Sequence, residues 1–257
     1  MSVVGGADEG AGAIVSVAAD PSSASLSPPH HFLAPMVRSY HRAGSSLVHS
    51  GVAGPVVALG TGARAPAPAF ANPGPLGLAS YAGSTFLVSL AALRAGFSQP
   101  DVGLGVAYFF GGVTQVIAGQ WEFASGNTFG ATAFTGFGAF WLAYAFLLTP
   151  ATGALAAYDG DAVGLRNALG AFFLTWTFFT WMITLAAHRT NLGLFVILLL
   201  TSISFPLLAA GAFSGVAGFT EAAGAVSLIA AAVAWYTATA GLLTPQTSRF
   251  TLFNPKL

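Results

Sequence analysis

The sequence predicts an all-α integral membrane protein, a six-transmembrane-helix bundle, and three observations predict it. Of 257 residues, 55% are apolar and only 6% are charged, against roughly 25% charged in an ordinary soluble domain. So little charge cannot cover a water-facing surface. Beyond residue 72 the chain breaks into six apolar runs, each near the ~20 residues that a bilayer core requires. The separators are short and hold Pro, Gly and charge, so the runs belong to one compact unit.

The runs are 75–93, 102–119, 128–148, 165–187, 192–213 and 222–243, and Arg166 is the only charge inside them. Pro100, Pro150 and Pro245 stand just outside runs two, three and six, where proline starts or stops a helix without removing an interior hydrogen bond. Residues 1–71 are rich in Ser, Pro, Ala, Gly and His without a sustained apolar period, which predicts a disordered tail. The apolar run 11–19 is too short to span and lacks the basic stretch that precedes a signal peptide's core. The expected organisation is a tail at 1–71, a transmembrane domain at 72–245 and a short C-terminal tail at 246–257. Arg64, Arg189, Arg249 and Lys256 fall on the side of both termini, and Arg94 and Arg166 on the other. Cytoplasmic loops accumulate Lys and Arg, so both termini are expected in the cytoplasm.

Composition also excludes function classes. Eight basic and eight acidic side chains give zero net charge, and no Lys or Arg cluster follows a phosphate backbone, so no nucleic acid partner is expected. Without cysteine there is no disulfide frame, thiolate metal site or Cys nucleophile. The spans hold no His pair, carboxylate pair or metal-ligand spacing, so the chain is not expected to be an enzyme or to carry a metal or other cofactor. His188 stands alone at the end of run four, as a solvated interfacial histidine would.

Polar residues inside the runs are the candidates for a path. Run two places Gly103, Ala107, Gly111, Gln115 and Gly119 at intervals of four. That stripe either packs a neighbouring helix closely or presents Gln115 on a pore wall, since an uncompensated amide in hydrocarbon is costly. Run four carries Thr177, Thr180 and Thr184 on one helical face, where each hydroxyl either bonds its own helix or lines a path. Run one offers a denser group: Ser80, Tyr81, Ser84 and Thr85. Trp121, Trp141, Trp176, Trp181 and Trp235 are expected as packing and interfacial anchors.

Two helix entrances suit a carboxylate, because a helix start presents unpaired N–H groups and a positive dipole end. One is Asn72-Pro73-Gly74-Pro75, with prolines placed as an initial turn favours. The other is Gly126-Asn127-Thr128, where Asn127 is the expected N-cap. Glu122 precedes the second and either titrates or pairs with a cation.

NPGPLGL at 72–78 and AGQWEFASGNTFGATAF at 118–134 resemble the acetate uptake transporter family, which includes bacterial acetate/succinate permeases and fungal acetate and ammonia-export proteins. The resemblance covers about 72–243, and the Ser/Pro-rich tail is similar to the fungal branch. It implies proton-coupled membrane transport of small monocarboxylates, chiefly acetate, by a plasma-membrane homohexamer with one pore in each protomer. Asn72, Pro73, Pro75, Leu76 and Gly77 match the first motif, Gly74 replacing its usual alanine; Glu122, Gly126, Asn127, Thr128, Phe129 and Gly130 match the second. The candidate substrate-binding set joins Asn72, Pro73, Pro75, Gly77, Asn127 and Thr128 of the two motifs with Ser84, Thr85 and Gln115 of the polar faces; the proton travels either on Glu122, the proton-coupling candidate, or on the substrate itself.

At the family's apolar constriction this chain departs from the pattern: Tyr81 aligns with the usual Phe, Phe137 with the usual Tyr, and Thr201 with the usual Leu. Hydroxyls there would lower the desolvation barrier and shift the range toward hydroxylated acids such as lactate. Two other functions stay open. One is a passive channel for ammonia, urea or water, since Asn72-Pro73 is similar to the aquaporin signature, although aquaporins need two such motifs and the second Asn-Pro, at 254, lies beyond the last span. The other is a non-transporting membrane receptor.

Overall fold

The computed structural model describes residues 70–96 and 101–257. The expectations for residues 1–71 fall outside the described residues except at Phe70 and Ala71. Among the described residues, six helices are long and apolar enough to cross a membrane: α1 (Gly74–Ala92), α2 (Val102–Ala124), α3 (Thr128–Leu148), α4 (Ala162–Ala186), α5 (Leu192–Ser214) and α6 (Ala217–Leu242). Three of them outrun the apolar pattern by more than one residue, α4 by starting at Ala162 on its Asp161 cap. α2 continues five residues past 119 because nothing in Gln120–Ala124 breaks a helix, and α6 starts at Ala217, ahead of Glu221, whose side chain is paired at the rim with Arg94 at 3.4 Å.

The helix starts follow local chemistry. Asn127, Asp161 and Asn191 cap α3, α4 and α5 by accepting the N–H groups of Gly130, Gly164 and Leu194, which satisfies a donor that has no intrahelical acceptor. α5 ends on Gly215 in the left-handed region, with its N–H on Gly211 O; glycine takes that conformation without a Cβ clash.

α1 packs along α6, α6 along α5, α5 along α4, and α2 along α3. Close approach depends on glycines: Gly241 on α6 faces Pro75, and Gly77 on α1 faces the Phe134 ring. α3 and α4 stand further apart, and aromatic side chains fill the space between them. Phe140 meets Trp176 at 5.3 Å and Phe205 at 4.9 Å between ring centroids, and Phe137 meets Phe179 at 5.5 Å. Edge contacts of this kind contribute ~0.5–1.5 kcal/mol beyond the area they bury.

Pro206 lies inside α5 and has no N–H to give to the carbonyl four residues back. That carbonyl, Ser202 O, instead accepts the indole N–H of Trp181 on α4 at 3.0 Å. Thr184 on α4 donates to Thr180 O of its own helix at 2.7 Å, with Leu198 O of α5 a longer second acceptor at 3.2 Å. Where no water competes, a neighbouring helix has to restore such bonds. Trp181 therefore ties α4 to α5, a role the sequence alone does not distinguish from anchoring, and Thr184 bonds mainly its own helix.

α2 is not uniform. Ala107–Thr114 is π-helical, with Thr114 Oγ1 donating to Phe109 O five residues back at 2.9 Å. The wider turn divides the stripe spaced by fours. Gly111 packs on Ser84 and Trp141, and Gly119 packs on Thr135, but Gly103 has open space beside it. The stripe is thus a packing surface at Gly111 and Gly119 and the wall of a cavity at Gly103.

Candidate functional site

The polar face of α1 meets α3, α5 and α6 at the centre of the bundle. Tyr81 Oη and Thr201 Oγ1 are 2.6 Å apart. Thr201 also donates to Ile197 O at 2.7 Å, so its one proton is committed and Tyr81 is the donor across the pair. Phe137 completes the group, its ring 6.1 Å from that of Tyr81. Sequence positions 81, 137 and 201 are therefore side by side on three helices.

They line a cavity of about 60 Å³ together with Thr85, Ser89, Trp141, Ser204 and Ser227. A water needs roughly 10–15 Å³ of such space, so this neck holds a handful of waters or one small solute. Thr85 Oγ1, Ser89 Oγ and Trp141 Nε1 are buried without a hydrogen-bond partner. Leaving a polar group so buried costs about 1–3 kcal/mol. Thr85, Ser89 and Trp141 thus put polar side chains on the lining of this cavity, while the three atoms themselves expose almost no surface to it. Toward the end of α1, Val88, Ala92, Phe140 and Leu208 are walls shared between this cavity and a second, apolar one of about 280 Å³, the vestibule. Thr220 and Gly103 lie on the vestibule wall.

At the opposite end, the starts of α1 and α3 flank the end of α2. Glu122 is buried, 5% exposed, and its Oε2 accepts Asn127 Nδ2 at 2.7 Å. Among the described residues its partner is this amide; the lone ion pair there is Arg94–Glu221. Gly74 and Gly130 make the room: a Cβ on Gly130 would stand 2.9 Å from the Glu122 carboxyl carbon, and one on Gly74 would stand 3.0 Å from Asn72 Oδ1 and 3.7 Å from Glu122 Oε1. Asn72 Oδ1 accepts Gly74 N–H at 3.0 Å, and Gly77 N–H is taken by Pro73 O. Pro73 and Pro75 have no N–H, so Leu76 N–H is the donor left open in that first turn.

The remaining candidates divide. Ser84 donates to Val106 O at 3.4 Å and sits at the α1–α2 contact, outside the walls of both cavities. Gln115 is fully buried with its Oε1 unpartnered, also outside those walls. Pro75 and Gly77 are buried packing positions, whereas Asn72, Asn127 and Thr128 are exposed at the mouth. Ser80 and Thr177 bond their own helix, at Gly77 O and Phe173 O, and buried Thr180 Oγ1 has no partner. Sequence reasoning gave Ser89 no role and Trp141 only packing or anchoring, and it passed over Ser204 and Ser227. The first two continue, at four-residue spacing, the lines Tyr81–Thr85 and Phe137, and that signal was available.

A family model described as the GPR1/FUN34/yaaH family matches residues 57–257. Among curated relatives, ammonia transport outward protein 2 of Saccharomyces cerevisiae is 42% identical over 187 residues, 72% of this chain and 66% of that protein. Acetate permease A of Emericella nidulans is 38% identical over 192 residues, 70% of this chain and 64% of that one. The chain thus spans a little under two thirds of the length of these relatives. The solved structure of the bacterial acetate channel SatP aligns with a TM-score of 0.65 and 34% identity, covering 73% of this chain and 99% of that one. On the family match and these relatives, the chain belongs to the GPR1/FUN34/yaaH family.

Proposed function

We propose that the chain carries small monocarboxylates, acetate first, across the plasma membrane, through the neck at the centre of each protomer of a homohexamer with both termini in the cytoplasm. The observation that carries this reading is the neck itself: a small cavity at the centre of the bundle with Tyr81, Thr85, Ser89, Thr201, Ser204 and Ser227 on its lining. The relatives named for acetate, in a fungus and in a bacterium, support the substrate. Labelled acetate is expected to enter proteoliposomes saturably, and protein-free vesicles set the background. Passage of ammonia or urea without acetate would favour the passive-channel reading, for which the relative named for ammonia is the supporting observation. No flux of any of them would favour a receptor.

The mouth supplies the proton-coupling candidate. A carboxylic acid with a pKa near the ~4.3 of Glu is mostly ionised at neutral pH, so electroneutral entry needs a proton alongside it. Glu122 is the carboxylate placed between the two helix starts, and Glu122→Gln keeps an oxygen that can accept from Asn127. We expect the variant to fold and to lose the stimulation of acetate uptake by an inward proton gradient. Undiminished stimulation would remove Glu122 from that role.

The hydroxyl pair at the neck sets the range of acids. Tyr81→Phe with Thr201→Leu removes both hydroxyls of the pair and leaves Thr85, Ser89, Ser204 and Ser227 as the polar part of the lining. The acetate-to-lactate uptake ratio is expected to rise several-fold, because lactate's own hydroxyl then crosses with fewer partners, each hydrogen bond being worth about 0.5–1.5 kcal/mol. An unchanged ratio in a competition assay would show that these hydroxyls do not select.

A further inference from the structure

Past α6 the chain turns back and clasps the start of α5. Leu192 N–H donates to Pro255 O at 2.9 Å, and Leu257 N–H to Thr190 O at 2.8 Å. Gly193 N–H donates to Asn254 Oδ1 at 3.0 Å, and Tyr236 Oη donates to Phe253 O at 2.9 Å. Leu192 and Gly193 are first-turn donors of α5 that have no intrahelical acceptor. Asn254-Pro255 therefore acts as a second cap on this helix, supplied from 61 residues away.

The outer side of this clasp has a chemistry of its own. Phe250 and Phe253 are 64% and 76% exposed, and exposed Tyr236, in the last two turns of α6, is the residue that bonds Phe253 O. Arg249 and Lys256 are exposed as well, and Lys256 pairs through its backbone with Asn191, two residues from Arg189. Neither 186–192 nor 243–257 contains an acidic residue. Exposed aromatic rings interleaved with cations, at the end of a transmembrane helix, match an interface that carries negative headgroups.

We propose that residues 249–257 form a strap that binds the anionic headgroups of the adjacent leaflet and, in doing so, holds the clasp on α5 closed. The phenyl rings enter the interface, and the phosphate and carboxylate groups of the lipids neutralise Arg249, Lys256 and Arg189. Because α5 carries Thr201, the strap fixes the end of a helix that forms the neck. The proposal does not depend on which solute crosses.

The test uses the full-length protein in nanodiscs of phosphatidylcholine alone or with phosphatidylserine added, which presents the same lipid to both faces. Hydrogen exchange at the Leu192, Gly193 and Leu257 amides reports opening of the clasp. Each basic side chain near an anionic surface contributes roughly fivefold, so phosphatidylserine is expected to slow exchange by about 25-fold through Arg249 and Lys256. High salt should reduce that difference, and R249Q/K256Q should abolish it. Equal exchange of the unmodified protein in the two bilayers would overturn the proposal. So would protection that follows the number of protein copies per disc rather than the phosphatidylserine content, which would make the strap a contact between copies. Acetate uptake is measured separately, so failure of the strap and failure of the transport reading are distinguishable.

Discussion

Ser89→Leu is expected to reduce acetate uptake to near background while leaving the bundle folded. Ser89 is 2% exposed and lines the 60 Å³ neck with an unpartnered hydroxyl. A leucine there fills space that holds only a handful of waters and puts apolar carbon against Thr85 and Trp141. Overpacking costs about 1–3 kcal/mol, but removing an orphaned hydroxyl returns about 1–3 kcal/mol, so the stability change is small. Ser89→Ala separates the two effects. It is expected to be as stable as the parent or slightly more so, and to slow uptake only several-fold, since the path stays open. Uptake by Ser89→Leu equal to that of the parent would mean that the solute does not pass this cavity.

The second large effect is on stability. A Cβ at Gly119 would stand 2.7 Å from Thr135 N and 3.2 Å from Ala131 O. Both are backbone atoms of α3, which no rotamer change can move aside. Gly119→Val therefore has to push α2 from α3 and is expected to destabilise by about 3 kcal/mol or more. The readout is a lower thermal midpoint and a lower monodisperse yield in detergent. Gly103→Ala is the matched control, for it meets nothing within 4 Å and relieves the backbone entropy cost of glycine. Equal losses at both positions would contradict the division of α2 into a packed half and a cavity-lining half.

That pair of glycines also shows where the sequence stops being informative. Apolar runs and terminal prolines locate all six helices, because hydrocarbon admits only segments that satisfy their own backbone. Gly103 and Gly119 look equivalent at four-residue spacing, yet the π-helical turn between them, which the sequence does not announce, sends them to different surroundings. Ser84 and Thr85 are likewise adjacent, and one bonds the α2 backbone while the other faces the neck without a partner. Which of two neighbouring hydroxyls meets a cavity depends on the rotation of α1 against three other helices, and that is tertiary information. Tyr81, Phe137 and Thr201 were legible because a family pattern placed them together; composition alone would have left them scattered over 120 residues. Asn127 was legible as an N-cap from its own chemistry, but its second bond, to Glu122, needed the fold to bring the end of α2 beside it.

The absence of cysteine from the chain makes the central claim directly measurable. Thr85→Cys places a single thiol on the wall of the neck, and a small methanethiosulfonate reagent can report whether that wall is reached from water and shared with the solute. The account predicts that the thiol is modified in the reconstituted protein, that modification stops acetate uptake, and that acetate present during labelling slows the modification. A thiol that is modified without loss of uptake, or at a rate acetate does not change, would contradict passage of the acid through this neck.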